Sequence, residues 1–333
     1  MTAKTKRRVL FAAMFAVASL LLAACNSDLP QDALTPQGPY ARRTDSLFNW
    51  VFGIAVVVFF VVEGLLVYAL FKFRHRPGRA IPAQVHGNRR LEIAWTVAPA
   101  VLLAVIAVPT IVGIFALTQR PPDAMSIRVV GHQWWWNVSY PRERVTTANE
   151  IHIPVGRPVE LSITSNDVIH SFWVPRLAGK QDMTPGKENH LLLQADRPGT
   201  YVGQCAEYCG ISHANMRLRV IADRPADFQA WVRQQRRPAP EPPPDVLRIL
   251  QNRGCGGCHV IEGLEGFVGT IGPELTHFGS RQTLAGAILE NTPEQLALWL
   301  ENPPALKPGA DMPNLRMTPD EIRTLVAYLR SLK

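Results

Sequence analysis

Two short segments of the chain concentrate side chains that bind transition metals. The first, Cys205–Met216, contains two thiols, an imidazole and a thioether within 12 residues. Soft sulfur ligands beside imidazole favour copper over hard cations such as magnesium. The second is Cys255-Gly256-Gly257-Cys258-His259, the C-x-x-C-H pattern that is typical of covalent haem c attachment.

The spacing in the first segment leaves three alternatives to a copper site. Cys205 and Cys209 could form a disulfide in an exported protein. The same thiols could bind zinc together with His213, although zinc seldom recruits methionine. Met216 could simply belong to a hydrophobic core. On spacing alone, the disulfide is the strongest of these alternatives.

The alternatives for the second segment are weaker. A thioredoxin-like site would leave the histidine that follows the motif without a role. A zinc ribbon would need a second pair of ligands, which the sequence does not offer. We therefore predict that Cys255 and Cys258 bind haem c covalently and that His259 is the proximal iron ligand. The second axial ligand must lie downstream, where the residues of suitable type are Met312, Met317 and His277.

Residues 1–24 have the composition of a signal peptide, in which basic residues precede the apolar run from Val9 to Leu22. The order Leu22-Ala23-Ala24-Cys25 resembles a bacterial lipobox, where the cysteine becomes lipidated. The alternative is a plain signal peptide with an incidental cysteine. We favour lipidation because an unpaired exported cysteine otherwise needs a role. The five cysteines then divide into one for lipid, two for copper and two for haem.

Residues 45–118 have the pattern of a transmembrane helical hairpin. Its two apolar segments, 47–71 and 93–117, each exceed the roughly 20 residues that a spanning helix needs. The loop between them is rich in lysine and arginine and should stay in the cytoplasm, so everything after the second span should lie outside. Glu63 lies within the first span, either as a functional carboxylate or as a neutral carboxyl bonded to another helix.

The remainder of the chain divides into two exported domains. Residues 123–222 alternate between short strand-like runs and turns, which predicts a β-sandwich or barrel of about 100 residues. A Pro-rich linker is predicted over 223–243, followed by a small all-α haem domain over 244–333. The net charge of +8 comes mainly from residues before 118, so no folded domain offers the basic patch that nucleic acid requires.

The cysteine-rich loop resembles the dinuclear copper site of cytochrome c oxidase subunit II. The likeness covers residues from about 45 to 222 and extends to the segments Leu91–Thr96, Gly131–Trp136 and Val168–Pro175. It implies a cupredoxin fold, with Cys205 and Cys209 bridging two copper ions as thiolates. By the same likeness, the remaining ligands are two imidazoles, a thioether and a backbone carbonyl, from His170, His213, Met216 and Glu207.

The resemblance also implies roles for residues beyond this ligand set. Trp134 would accept electrons at the protein surface, and the Glu207 side chain would touch a magnesium ion at the boundary with subunit I. Glu92 resembles the family's proton-uptake carboxylate, although its position alone indicates only an acidic helix start. The segment 307–313 resembles the methionine loop of class I cytochromes c, so Met312 is the predicted haem ligand and Met317 the second choice.

Together these inferences predict subunit II of a bacterial respiratory haem-copper oxidase with a fused cytochrome c. It would lie in the cell membrane with two spans and with its copper and haem domains on the outer face. Electrons from cytochrome c or a cytochrome bc complex would pass through the haem and the copper pair to subunit I. Reduction of O2 to water, coupled to proton pumping, would occur there, since this chain contains no catalytic residue for it. The expected partners are the other oxidase subunits and membrane lipid.

Two other functions are compatible with the motifs. A nitric or nitrous oxide reductase component could carry a similar copper site, but the hairpin with Glu92 and the fused haem domain favour the oxygen-reducing enzyme. A membrane-anchored electron carrier or copper-delivery protein is the second alternative. Copper delivery predicts one labile ion and no need for haem.

Overall fold

The computed structural model describes residues 31–74 and 87–333, together with residues 5, 12, 13, 15–17, 19, 78 and 84. Cys25 and most of the predicted signal peptide lie outside the described residues. A helical hairpin, a domain of two β-sheets and a small helical domain follow one another along the chain. This order confirms the predicted fold class.

The two predicted spans form helices that are longer than their apolar segments. Helix α1 is Pro39–Lys72 and helix α2 is Arg89–Thr118, and both are long and apolar enough to cross a membrane. The Asn88 side chain caps α2, because its carbonyl oxygen accepts hydrogen bonds from the backbone N–H groups of Arg90 and Leu91.

The start of α1 is attached to the β-domain. The backbone N–H of Gln37 donates to the carbonyl of Arg176 at 2.7 Å, and that of Ala41 donates to Leu177 at 3.2 Å. Gly38 lies so close to the carbonyl of Gln194 that a Cβ would collide with it. The β-domain is therefore fixed at one end of the hairpin.

The β-domain is a sandwich of two five-stranded sheets, with strand orders β3-β2-β1-β5-β8 and β4-β10-β9-β6-β7. The pairs β1–β5 and β4–β10 are parallel, and the neighbouring pairs are antiparallel. The strands are β1 (Met125–His132), β2 (Trp135–Tyr140), β3 (Val145–Ala148), β4 (Glu150–Pro154), β5 (Val159–Ser165), β6 (His170–Trp173), β7 (Gln181–Met183), β8 (Asn189–Leu193), β9 (Gly199–Cys205) and β10 (Arg217–Asp223).

Alternation along the strands builds the core between the sheets. Every second side chain of β5 is fully buried, and the intervening ones are partly exposed. The same pattern in β1 buries Ile127 and Val129 against Leu161 and Ile163. Removing each such side chain from water contributes about 1.5–3 kcal/mol. The sandwich is therefore a rigid support for the loops at its ends.

Helix α3 (Pro225–Gln235) follows the sandwich and packs on it. Phe228 and Val232 are buried, and the Trp231 ring stacks on His152 with centroids 4.3 Å apart. This helix lies within the stretch 223–243 that the sequence assigns to a linker. The part without a helix is the Pro-rich segment 236–243.

The C-terminal domain is mainly helical, as predicted, and adds one short hairpin. Its elements are α4 (Pro244–Asn252), β11 (Thr283–Leu284), β12 (Leu289–Glu290), α5 (Pro293–Glu301), α6 (Pro303–Leu306) and α7 (Pro319–Ser331). The capping box predicted at the start of α7 is confirmed. The Thr318 hydroxyl accepts from the Glu321 N–H, and the Glu321 carboxylate accepts from the Thr318 N–H.

The helical domain contacts the sandwich through a buried carboxylate. Glu150 on β4 is 2% exposed and accepts hydrogen bonds from the backbone N–H groups of Gln282 and Thr283 at 3.1 and 2.7 Å. It also accepts from the Thr283 hydroxyl at 2.6 Å. Beside it, the buried Arg281 guanidinium donates to the Thr147 hydroxyl at 3.2 Å. These directed bonds define one docking geometry of the two domains.

We expect Glu150→Gln to weaken this contact. The amide presents an N–H group to donors that need an acceptor, and hydrogen bonds to a charged group contribute about 1.5–3 kcal/mol. Amide hydrogen exchange at Thr283 should therefore become about tenfold faster or more. The exposed Glu188→Gln is the matched control. Equal exchange rates in wild type and Glu150→Gln would show that the carboxylate does not hold the domains together.

Candidate copper and haem sites

Three of the predicted copper residues lie at strand ends that meet at one end of the second sheet. Cys205 ends β9, His170 begins β6, and Met216 directly precedes β10. The antiparallel pairing of β6 with β9 places Phe172 opposite Cys205, which brings His170 to the same end of the sheet. His213 lies in a 3₁₀ turn between β9 and β10.

The two thiols lie at the centre of this cluster and are free. Their sulfurs are 3.8 Å apart, much farther than the roughly 2.05 Å of a disulfide bond. The hydrogen bond between the sulfurs lowers the pKa of the Cys205 thiol to about 4, and a further contact with His170 lowers it as well. The same sulfur–sulfur bond raises the pKa of Cys209. A lowered thiol pKa favours the thiolate, which is the form that binds metal.

The remaining predicted ligands surround the two sulfurs. Sγ of Cys209 lies 3.5 Å from Nδ1 of His213 and 3.9 Å from Sδ of Met216. Sγ of Cys205 lies 3.9 Å from Nδ1 of His170. The carbonyl oxygen of Glu207 is 3.2 Å from the same sulfur. Each imidazole thus faces one sulfur, a donor set that fits copper better than magnesium or calcium.

A carboxylate that the sequence analysis missed orients one of these imidazoles. Asp167 lies 2.7 Å from Nε2 of His170 and accepts backbone hydrogen bonds from Gln133 and Val168 at 2.7 and 2.6 Å. This contact directs Nδ1 of His170 towards Cys205. Carboxylates commonly support metal-binding histidines in this way. The sequence signal was an aspartate three residues before the predicted ligand.

Trp134 lies between the copper loop and the helical domain. Its indole N–H donates to the carbonyl of Cys209 at 3.1 Å. A Cβ on Gly210 would lie 3.0 Å from one edge of the ring, and a Cβ on Gly309 would lie 2.8 Å from another. The predicted surface position of Trp134 was wrong, because the helical domain covers it and leaves 8% exposed. Of its neighbours, Trp136 is buried in the sandwich and Trp135 is half-buried, so the three rings do not share one environment.

The predicted haem residues line one cavity. Its wall contains the motif residues Cys255, Cys258 and His259 together with Met312, and the sandwich contributes Trp134 and Trp135. Met317 does not belong to this lining, although it and Met312 both pack against the hydrophobic core of the helical domain. Both cysteines are free thiols. The cavity therefore belongs to both domains.

The orientation of His259 suits a haem ligand. Its Nδ1 lies 2.7 Å from the carbonyl of Pro273, so Nδ1–H is the donor and Nε2 keeps the lone pair for iron. Burial lowers the pKa of this imidazole, which favours its neutral form. A Cβ on Gly272 would collide with the ring, so the backbone packs directly against it. These contacts fit covalent haem attachment at the adjacent cysteines.

The acidic residues with predicted transport roles lie elsewhere. The Glu207 side chain is exposed although its carbonyl faces Cys205. Glu92 is exposed in the first turn of α2, and Glu63 is exposed along α1. Their roles in magnesium binding and proton uptake remain predictions.

Comparison with known proteins covers all three parts of the chain. Residues 29–112 match the transmembrane domain of cytochrome c oxidase subunit II, residues 142–222 match its periplasmic domain, and residues 248–333 match cytochrome c. Cytochrome c oxidase subunit 2 of Alkalihalophilus pseudofirmus is 39% identical over 95% of this chain and 94% of that protein. The chain belongs to the cytochrome c oxidase subunit II family.

One further relative and one solved structure are similar to this chain. Cytochrome c oxidase subunit 2 of Bacillus sp. strain PS3 is 34% identical over 96% of each chain. The solved periplasmic domain of cytochrome oxidase subunit II of Bradyrhizobium japonicum is 28% identical, with a TM-score of 0.34, over 35% of this chain and 96% of that one. The family membership makes this chain a component of an oxidase complex, and its domains imply copper and haem binding.

We expect Asp167→Asn to reduce copper affinity about 10- to 100-fold, as loss of a supporting carboxylate typically does. The amide no longer offers the charged acceptor that fixes His170. Competition with a copper chelator measures the change, and Asp182→Asn, at an exposed aspartate on β7, is the matched control. Unchanged affinity would exclude Asp167 as a support for the site.

We expect Met312→Ala to remove the sulfur ligand of the haem iron and Met317→Ala to retain it. The reason is that Met312 belongs to the lining of the cavity that contains Cys255, Cys258 and His259, and Met317 does not. Loss of methionine ligation should lower the haem reduction potential. Optical spectra and redox titration of both variants distinguish the two residues. The reverse pattern would assign the ligand to Met317.

Proposed function

We propose that this chain is the electron-accepting subunit II of an aerobic haem-copper oxidase, with a covalent haem c and a dinuclear copper centre. It receives electrons from cytochrome c and delivers them to subunit I, which reduces O2 to water with coupled proton pumping. The observation that supports this most strongly is Trp134, which lines the haem cavity and donates a hydrogen bond to Cys209 of the copper loop.

The residues of the two sites have distinct tasks. In the helical domain, Cys255 and Cys258 would attach the haem, and His259 and Met312 would bind its iron. In the sandwich, the thiolates of Cys205 and Cys209 would hold the copper ions, together with His170, His213, Met216 and the carbonyl of Glu207. When bound, the haem and the copper pair each take up and release one electron.

The Trp134 indole lies between the backbones of the two predicted sites. Gly309 of the methionine loop contacts one part of the indole, and Gly210 of the copper loop contacts another. Because neither glycine has a side chain, both backbones approach the ring directly. One ring thus contacts both the haem-binding loop and the copper loop.

The hairpin and the family membership support the proposed membrane arrangement. The two spans anchor the chain in a bacterial cell membrane, with the copper and haem domains on the outer face. Glu207 contributes to a magnesium site at the boundary with subunit I, and Glu92 takes part in proton uptake on the cytoplasmic side. Lipid on Cys25 adds a second anchor.

The contact at Trp134 also bears on the alternative functions. A copper-delivery protein needs an accessible, labile ion. The predicted copper-binding residues Cys205 and Cys209 are instead only 4% and 3% exposed, in a loop that the helical domain contacts. A reductase of nitrogen oxides would share the copper site, but the full-length relatives are cytochrome c oxidase subunits. The oxygen-reducing assignment is therefore preferred.

The test is metal analysis and electron transfer in the assembled oxidase. We expect two coppers for each haem c and a paramagnetic signal delocalised over both copper nuclei. After flash reduction of the haem, electrons should reach the copper pair within the same chain. A single mononuclear copper, or a Cys205–Cys209 disulfide that resists loading, would contradict the proposal.

We expect Trp134→Phe to slow this transfer while leaving both optical spectra unchanged. Phenylalanine lacks the N–H that bonds to the Cys209 carbonyl and fills less of the space between the glycines. Trp231→Phe, at the ring that stacks on His152, is the matched control. An unchanged rate in Trp134→Phe would place the electron path elsewhere.

A further inference from the structure

Lys307 carries a buried amine that extends from the helical domain into the sandwich. It follows α6 directly and is 4% exposed. Its Nζ donates to the carbonyl oxygen of Trp134 at 2.5 Å and to that of Ala285 at 2.9 Å. A single side chain thus connects the methionine loop, the turn after β11 and the backbone of Trp134.

Gly286 packs closely against the amino group of Lys307. Gly286 has a φ of +79°, and a Cβ there would collide with Nζ of Lys307 and lie 2.9 Å from the Trp134 carbonyl. Glycine is therefore favoured at this position by the backbone conformation and by the close approach of the Trp134 carbonyl. The Gly286 carbonyl in turn accepts a hydrogen bond from the N–H of Arg217 on β10 at 3.0 Å.

The methionine loop holds Trp134 at two places. Lys307 contacts its backbone carbonyl, and Gly309 contacts its ring. Between them, the carbonyl of Pro308 accepts a hydrogen bond from the Ser212 hydroxyl of the copper loop at 2.5 Å. Met312 follows three residues after Gly309. The position of Lys307 therefore determines how the haem-binding loop lies against the indole.

Net stabilisation is a poor explanation for this lysine. Burial lowers the pKa of Lys307 to about 7, which shows that the charged form is disfavoured where it lies. Its hydrogen-bond acceptors are two neutral carbonyls rather than a carboxylate. A buried amine of this kind fixes the orientation of the groups that it bonds to more than it adds to the free energy of unfolding.

We propose that Lys307 is a positioning residue for electron transfer between the domains. By binding the Trp134 carbonyl, it holds the methionine loop against the indole and fixes the path from the haem cavity to the copper loop. This inference rests on the proposed function, since it assigns a residue to the relay between the two sites.

The experiment compares Lys307→Met with wild type in the assembled oxidase. Methionine keeps a similar length and an apolar stem but cannot donate to the carbonyls. We expect unchanged haem and copper spectra, and haem-to-copper transfer slower by about tenfold or more, as small misplacements of reacting groups can cause. Hydrogen exchange at the Arg217 amide, which reports docking without any metal, should become about tenfold faster.

Arg219→Gln is the matched control at the rim of the same contact. Arg219 pairs with Glu290 and contacts Gln282 across the domains, away from Trp134. We expect it to leave the transfer rate unchanged. If Arg219→Gln slows transfer as much as Lys307→Met, docking in general is responsible and the specific role of Lys307 is wrong. Equal rates in Lys307→Met and wild type also overturn it.

Two further outcomes keep the inference separate from the proposed function. Absence of haem-to-copper transfer in the wild type would refute the proposed function itself. If Lys307→Met fails to assemble, Lys307→Gln retains one amide donor and should assemble with an intermediate rate. Transfer at the wild-type rate in that variant, with faster exchange at Arg217, would show that the lysine docks the domain without positioning the relay.

Discussion

The contact of the Trp134 indole with glycines from two domains is the constraint on which the arrangement of both sites depends. Gly210 belongs to the copper loop and Gly309 to the methionine loop. Because each backbone lies against the ring, neither loop can shift without moving the other. The indole N–H bond to the Cys209 carbonyl fixes the remaining freedom of the ring. The Trp134 side chain is thus one of the contacts that hold the two loops against each other.

The position of Trp134 between the two loops depends on the β-sheets. Trp134 lies in the turn between β1 and β2, and Trp136 on β2 is buried beside Phe172 and His170. The strand that anchors the turn therefore also packs against a predicted copper ligand. Asp167 connects the same parts, because it accepts from the N–H of Gln133 and from His170. The copper site and the docking surface consequently share one rigid frame.

Local patterns in the sequence predicted the ligand loops, the spans, the sandwich and the capping box of α7, because each depends on neighbouring residues. The contacts between domains could not be predicted in this way. Glu150 and Lys307 have no local pattern that distinguishes them from surface residues, and their partners in the other domain lie more than a hundred residues away. The surface position expected for Trp134 failed for the same reason, since its cover comes from another domain. Helix α3 likewise depends on burial of Phe228 against the sandwich.

The polar character of the docking surface has a consequence for how the domains associate. Glu150 and Lys307 are both buried and both make hydrogen bonds across the contact between the domains, and separation would break those bonds. Such a surface gives a specific geometry with modest net free energy, as interfaces between domains of one chain often do. The short segment 236–243 then matters, because it keeps the helical domain at a high effective concentration near Trp134. Covalent linkage therefore supplies the occupancy of the docked state, and the buried polar groups supply its geometry.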